Sequence, residues 1–245
     1  LSHLATRLWP KFEEELIESV GDHLPGACEK CEILKGGGCF DRGTFILNNC
    51  GADELDDHNY EAILTALDDF DEPHELVNPR DIPNYYPSQN KRATRAVYIH
   101  DEGWLNPHIV VEKIDAIIVN SSLITVTDGK AARFIKEGER IASVELEDGQ
   151  VIEGDVFLLA TGAYVNKIIE KSELGIYIQP VFYGVGLSIE IKSPGRPHEK
   201  CVRTPNRGGA CGIYTVPYFK HPHLKNDHIL IGASIPSSGT NSGGS

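Results

Sequence analysis

The chain has 245 residues, of which 24% are charged and 40% hydrophobic, enough for one large or two small globular cores. Its formal net charge of −13 excludes nucleic acid as a partner class, because phosphate contacts are driven by Lys and Arg. No apolar run reaches the roughly 20 residues a membrane helix needs, and the first residues are not a signal peptide, so the expected setting is cytoplasmic. Methionine is absent, which fits a processed or truncated chain or the loss of modified methionines.

Taken in order, Ser2 to Val20 predicts an amphipathic helix. Leu4, Leu8, Phe12, Leu16 and Ile17 recur at helical spacing against Lys11, Glu13, Glu14 and Glu18. Pro10 predicts a kink or restart within it. Leu34 to Asn49 reads as a hairpin after Gly36-Gly37-Gly38, with Thr44 to Leu47 as one strand. Asp56 or Asp57 is the expected cap of a helix that turns Tyr60, Ile63, Leu64 and Leu67 to one side. Asp68 to Gln89, rich in Pro and acid, should be irregular, with Pro83, Tyr85, Tyr86 and Pro87 in a compact surface loop. Ala96 to Ile99 is a short predicted strand. Pro107 opens a helix with Val110, Ile114, Ile117 and Ile118 inward. Strands Leu123 to Thr127 and Ala131 to Ile135 come next, turning at Asp128-Gly129.

Arg140 to Asn166 is the stretch around which the chain is organised. Ile141, Val144 and Leu146 mark a half-buried strand, and Asp148-Gly149 supplies the positive φ of a tight turn. Val156-Phe157-Leu158-Leu159 is a continuous apolar run, as expected of a strand covered on both faces. It ends in Ala160-Thr161-Gly162-Ala163 before a helix starting at Tyr164-Val165. Open α/β sheets hold ligands beside the carboxyl ends of their strands, so this loop is either a ligand site or an ordinary strand-to-helix turn. From Ile176 on, Ile176 to Ile178, Tyr183 to Ile191, Ile213 to Val216 and Ile229 to Gly232 predict a second, mainly antiparallel sheet. Ser237 to Ser245 is a flexible tail by composition.

Other clusters are less telling. Cys28-x-x-Cys31 with Cys39 and Cys50 is open between reduced thiols and a metal site, with the second spacing against metal. Cys201 and Cys211 read as strand-end residues. His221, His223 and His228 lie between two strands, beside Pro222, Lys220 and Lys225, and read as a solvated loop. A phosphate-binding GxGxxG after an apolar strand is not found, and Gly36 to Gly38 has the wrong spacing for one. Nor is there an H-E-x-x-H, a G-x-S-x-G or a P-loop, so hydrolase and triphosphatase readings have no anchor.

An acidic-Gly hairpin followed by an apolar strand and Ala160-Thr161-Gly162-Ala163-Tyr164 resembles the D-amino-acid-oxidase-like family. Its members include glycine oxidase, sarcosine oxidase and related FAD-dependent amine and amino-acid oxidoreductases. The resemblance extends in order through Gly103-Trp104-Leu105-Asn106-Pro107, Gln179-Pro180 with Gly184, and Arg203-Thr204-Pro205-Asn206. It ends in Tyr214-Thr215-Val216-Pro217 and Ile231-Gly232-Ala233-Ser234.

The resemblance implies an α/β protein: part of a Rossmann-like FAD-binding domain at 103–170, joined to a mainly antiparallel β-sheet substrate domain. The helical and hairpin part of that domain would span 1–102 and its sheet 171–236, with the tail at 237–245. It implies FAD held by Ala131 at the adenine and by Ala160, Thr161 and Gly162 at the adenosine and pyrophosphate. Tyr214 becomes the catalytic and substrate-facing aromatic, or a half-buried Tyr. Arg203 becomes a carboxylate-binding arginine or, by preference, a structural one. Arg207 has the same status, and Trp104 and Asn106 read as packed loop residues. The chain resembles the family's middle, so the remaining flavin contacts are expected from another segment or chain. The expected substrate is a small amine or amino acid, oxidised at its C–N bond by hydride transfer to flavin. The alternatives are a non-catalytic flavoprotein-like module, metal-binding through its cysteines, and the same fold acting on a hydroxy acid or polyol.

Overall fold

Strand β1 (Phe40–Asn49) is the spine of a seven-stranded sheet in the computed structural model, which describes residues 2–21, 40–179, 186–193, 198–206, 212–217 and 228–234. On one side β1 pairs antiparallel with β3 (Ala93–Leu105), and β2 (His74–Val77) adds the edge. On the other it pairs with β8 (Cys201–Arg203), the one parallel contact among the described residues. Beyond β8 lie β9 (Tyr214–Pro217), β10 (His228–Ser234) and β7 (Gly186–Lys192), all antiparallel. The mixed α/β class and the mainly antiparallel sheet are as expected.

The core is set by the register. Ile46 faces Val97 across β1 and β3, and both are fully buried under helix α2 (Glu54–Asp69), which adds Tyr60 and Leu67. Helix α2 is capped by Asp53, not by Asp56 or Asp57. Asp53 has extended backbone, and its carboxylate accepts from Leu55 N at 3.1 Å and Asp56 N at 3.0 Å, while Asp56 accepts from Asp53 N. A cap must lie outside the helix, and Asp56 serves as the third-residue partner of a capping box. Asp57 instead accepts from Asn48 Nδ2 at 2.5 Å and from Arg95. Asp53→Ala should lower stability by about 0.5–2 kcal/mol in urea unfolding, with no change in slope. An unaltered midpoint would show that this cap contributes nothing.

Four further departures concern strand extent. Strand β3 runs 13 residues rather than Ala96 to Ile99, because its ladder with β1 continues past a bulge at Gly43, where φ is +103°. Strand β2 lies within the stretch expected to be irregular. Leu123 to Thr127 and Ile176 to Ile178 form no strand, and Leu123 is 94% exposed. The 34–39 arm of the expected hairpin lies outside the described residues, and its other arm is the central strand β1.

Helix α1 (Ser2–Gly21) runs through Pro10 and packs against α3 (Pro107–Asn120). Leu16 of α1 is buried, while Leu4, Leu8 and Phe12 are exposed. In α3 the buried apolar anchor is Ile109; Val110, Ile114, Ile117 and Ile118 are half-buried. Among the described residues no helix is long and apolar enough to cross a membrane.

The chain divides into two compact units. The first is built on residues up to Ile124 and the strands after Val185, the second on Thr125–Gly184. The expected boundary at 102/103 falls inside β3. The second unit is a three-stranded antiparallel sheet of β4 (Ala131–Glu137), β5 (Arg140–Leu146) and β6 (Val151–Glu153), with helix α4 (Val165–Ser172) packed on β4. The Asp148-Gly149 turn is as expected: Gly149 has φ +88° and donates to Leu146 O at 3.0 Å.

Val156 to Leu159 corrects the reading of that run as a strand covered on both faces. It joins no ladder among the described residues, and Val156 and Leu158 are 88% and 90% exposed. Phe157 and Leu159 pack on Phe134, Ile168 and Leu174. An extended chain alternates its side chains, so with packing on one face alone the other two meet solvent.

Candidate functional site

The segment before β4 and the turn into α4 enclose a cleft of about 600 Å³, lined by Gly129, Lys130, Ala131, Ala132, Glu147, Thr161, Tyr164, Lys167, Ile168 and Lys171. That volume lies within the range of small-molecule sites. Local structure fixes its walls. Glu147 N donates to Lys130 O at 2.8 Å, tying the approach of β4 to the end of β5. The 3-10 turn Gly162–Tyr164 begins with Tyr164 N donating to Thr161 O at 3.1 Å, and Gly162 takes φ +54°. That φ is why glycine stands there; a Cβ would meet nothing within 4 Å, so close approach is not the reason.

Two of the four expected cofactor residues, Ala131 and Thr161, therefore share one cleft. Ala160 and Gly162 adjoin Thr161 in sequence, but both are exposed and neither lines the cleft. The Thr161 hydroxyl is buried and has no hydrogen-bond partner. An unmet buried hydroxyl costs about 1–3 kcal/mol, so a ligand with a polar group at this point would relieve it. Ala131 and Ile168 offer apolar wall, and the 70%-exposed Tyr164 offers a ring. This combination fits the adenosine half of a dinucleotide: a flat base against apolar and aromatic surface, and a sugar beside a hydroxyl. The three lysines were not singled out in the sequence. The available signal was Lys167 and Lys171, one helical turn apart directly after the Thr161 loop.

Arg203 and Tyr214, the expected substrate residues, lie in the first unit and are direct partners across β8 and β9. Arg203 is already engaged: its Nε and Nη2 donate to Glu102 Oε1 and Oε2 at 2.8 and 3.1 Å. This pair uses the Nε–Nη2 edge of the guanidinium and leaves its Nη1 side for a further acceptor. Tyr214 is half-buried against Trp104, Cys201 and Val216, and its ring lies over Gly232, where any side chain would collide with it.

The same cluster explains an inert thiol. Burial, then the Glu102 carboxylate, pushes Cys201 up to about 11, against smaller opposite effects from Arg203 and Thr44. An unfolded thiol titrates near 8.5, so Cys201 favours the folded state below about pH 8.5. That contribution fades as pH rises towards about 11. Cys50 is exposed and donates from Sγ to Asn90 O. Iodoacetamide at pH 8, read by peptide mass mapping, should label Cys50 and spare Cys201. Equal labelling of both would contradict this packing.

Cys28, Cys31, Cys39, His221, His223 and Arg207 lie outside the described residues. His228 lies in β10 opposite Lys192. Among the described residues, no group of three His, Cys, Asp or Glu side chains could hold a metal ion.

A family model described as FAD dependent oxidoreductase matches residues 14–244. The chain is similar in fold to glycine oxidase from Geobacillus kaustophilus, with a TM-score of 0.66 and 15% identity over 95% of this chain and 55% of that one. It is similar to iminodiacetate oxidase from Chelativorans sp., with a TM-score of 0.64 and 16% identity over 97% and 57% of the two chains. L-proline dehydrogenase from P. horikoshii gives 0.59 and 16% identity over 92% and 56%. At these identities the likeness is one of fold, and the chain spans a little over half the length of each protein.

Proposed function

Because this chain belongs to the FAD-dependent oxidoreductase family, we propose that it is part of an enzyme that oxidises the C–N bond of an amine or amino acid. The observation that carries the cofactor side is the partnerless Thr161 hydroxyl in the cleft it shares with Ala131 and Tyr164. In this reading Ala131 meets the adenine through its backbone, Tyr164 lies along the base, and Thr161 bonds to the sugar side. Ala160 and Gly162 shape the loop and approach the pyrophosphate through backbone alone. Bound flavin supplies hydride acceptance from the carbon that bears the amino group.

The first unit contributes the substrate face. Tyr214 presents its ring edge to the substrate. Arg203 is a positioning residue: Glu102 holds its guanidinium, and the pair fixes β8 against β3. With Glu102 on the Nε–Nη2 edge, a substrate carboxylate meets Arg203 from the Nη1 side. The remaining flavin contacts come from a segment or chain beyond these 245 residues, and the setting is the cytoplasm. The oxidases and dehydrogenases of similar fold act, by their names, on glycine, iminodiacetate and proline, which supports a small amino-acid substrate.

The test is the full-length protein. It should be yellow as purified and release FAD on denaturation. Its flavin absorbance should bleach anaerobically with a member of a panel of amines and amino acids. Protein that is colourless at full length, or bleached by hydroxy acids and by no amine, would sink the proposal.

A further inference from the structure

We propose that Gly232 is a specificity-determining position: its missing side chain seats the Tyr214 ring on β10 and so sets how large a substrate fits on that face. The inference rests on the reading of Tyr214 as the substrate-facing aromatic. Arg203, Tyr214, Gly232 and Ser188 form one row across β8, β9, β10 and β7. Paired residues on neighbouring strands project from the same face, so all four share it. Leu230 and Glu190, paired two residues along, share it as well. A Cβ on Gly232 would overlap Cζ and Oη of Tyr214 and lie 2.7 Å from its Cε2. The ring therefore points away from Arg203 and towards β7, and Gly232 is buried beneath it.

The backbone gives no reason for a glycine here. Gly232 does not take a positive φ, and glycine weakens a strand interior because it packs nothing and orders more backbone freedom. What requires it is the ring. On one side the ring packs with Trp104, Cys201, Val216 and Leu230; on the other, Ser188 and Glu190 are exposed, so it borders an open part of the face. The atoms a Cβ would strike are the far end of a two-torsion side chain, not backbone. Alanine at 232 thus leaves the β9–β10 ladder in place and swings the ring up from the sheet. That movement fills the space above the row, where the substrate lies. A glycine-sized substrate still fits, while one with a large side chain meets the lifted ring.

Two measurements on Gly232→Ala test this. In the 245-residue chain, tetranitromethane nitration mapped by peptide mass should rise several-fold at Tyr214, while the exposed Tyr86 and the fully buried Tyr60 keep their rates. In the full-length flavoprotein, glycine, alanine, leucine and phenylalanine are assayed, both enantiomers where they exist. The ratio of kcat/KM for the smallest over the largest accepted substrate should rise about tenfold or more. In a Tyr214→Ala background, where no ring remains, Gly232→Ala should not move that ratio. Unchanged nitration of Tyr214 overturns the inference, as does new labelling of Tyr60, which would mean that the sheet opens and not that the ring lifts. Raised nitration with an unaltered ratio, or a ratio altered equally without the ring, leaves Gly232 a packing role alone. An unaltered enzyme that accepts glycine and nothing larger also overturns it. If Tyr214→Ala itself changes the turnover of no substrate, the reading of Tyr214 falls, and this inference with it.

Discussion

Phe134→Ala should unfold the second unit while the seven-stranded sheet stays folded, at a cost of about 3–5 kcal/mol. Phe134 is buried with Ile168 and Leu174, and its ring meets Phe157 edge-on at a centroid distance of 5.8 Å. Its backbone N donates to the buried Ser172 Oγ at 2.7 Å, and Ser172 in turn donates to Ile168 O at 2.6 Å. Strand β4 is thus tied to helix α4 by the packing of Phe134 on Ile168 and one hydroxyl relay, and to the 156–159 segment by the ring contact. Thr125–Gly184 is a short segment, and small units bury too little apolar surface to absorb a large cavity. Hydrogen exchange should show peptides from 131–174 losing protection while those from 93–105 keep theirs. Because the cleft is built on β4 and α4, nucleotide binding should disappear with that protection. Full protection of both regions in the variant would show that this core is not what holds the unit together.

The second large effect sits at Tyr60, where two substitutions should act in opposite ways. The Tyr60 side chain is fully buried against Ile46, Val97 and Ile99, with the Arg95 guanidinium 4.6 Å from its ring centroid. Truncation to Ala opens a cavity the size of a ring and also removes the cation–π contact, at about 3–5 kcal/mol. Its hydroxyl, however, is buried with no hydrogen-bond partner. Burial raises its pKa first of all, against a lowering effect from Arg95. Tyr60→Phe keeps the ring and removes the unmet polar group, so it should be neutral or stabilising by up to about 1 kcal/mol. Urea unfolding midpoints of the two variants settle the matter. A Phe variant destabilised as much as the Ala variant would mean that the hydroxyl has a partner.

Local signals were reliable where the physics is local. The Asp148-Gly149 turn was legible because a tight reversal needs positive φ, and Gly149 has it. The start of α4 was legible from the small residues before Tyr164, and the Thr161 loop does border a cleft. The cap of α2 was misplaced by at least three residues, since Asp53, Asp56 and Asp57 have the same side chain and only backbone geometry separates them. Extent was harder still. Nothing within Ala93 to Leu105 says that its ladder passes the Gly43 bulge, because that information lies in the opposing strand. The apolar run Val156 to Leu159 carries the composition of a two-sided strand, but composition does not supply a neighbour.

Arg203 shows the same division in the candidate site. An arginine before Thr-Pro-Asn can be read as a receptor for a carboxylate. Which carboxylate it holds depends on Glu102, about a hundred residues away in sequence and adjacent only after β1, β3 and β8 assemble. The family, the α/β class, the order of helices and turns and the place of the Thr161 loop were carried by the residues themselves, because each depends on neighbours within a few positions. Which residues share the cleft, which strands are long, which arginine is already paired and which hydroxyl is left without a partner were decided by the tertiary structure alone. Each of these depends on what a distant segment brings against a surface, and contact between distant segments leaves no mark on either one alone.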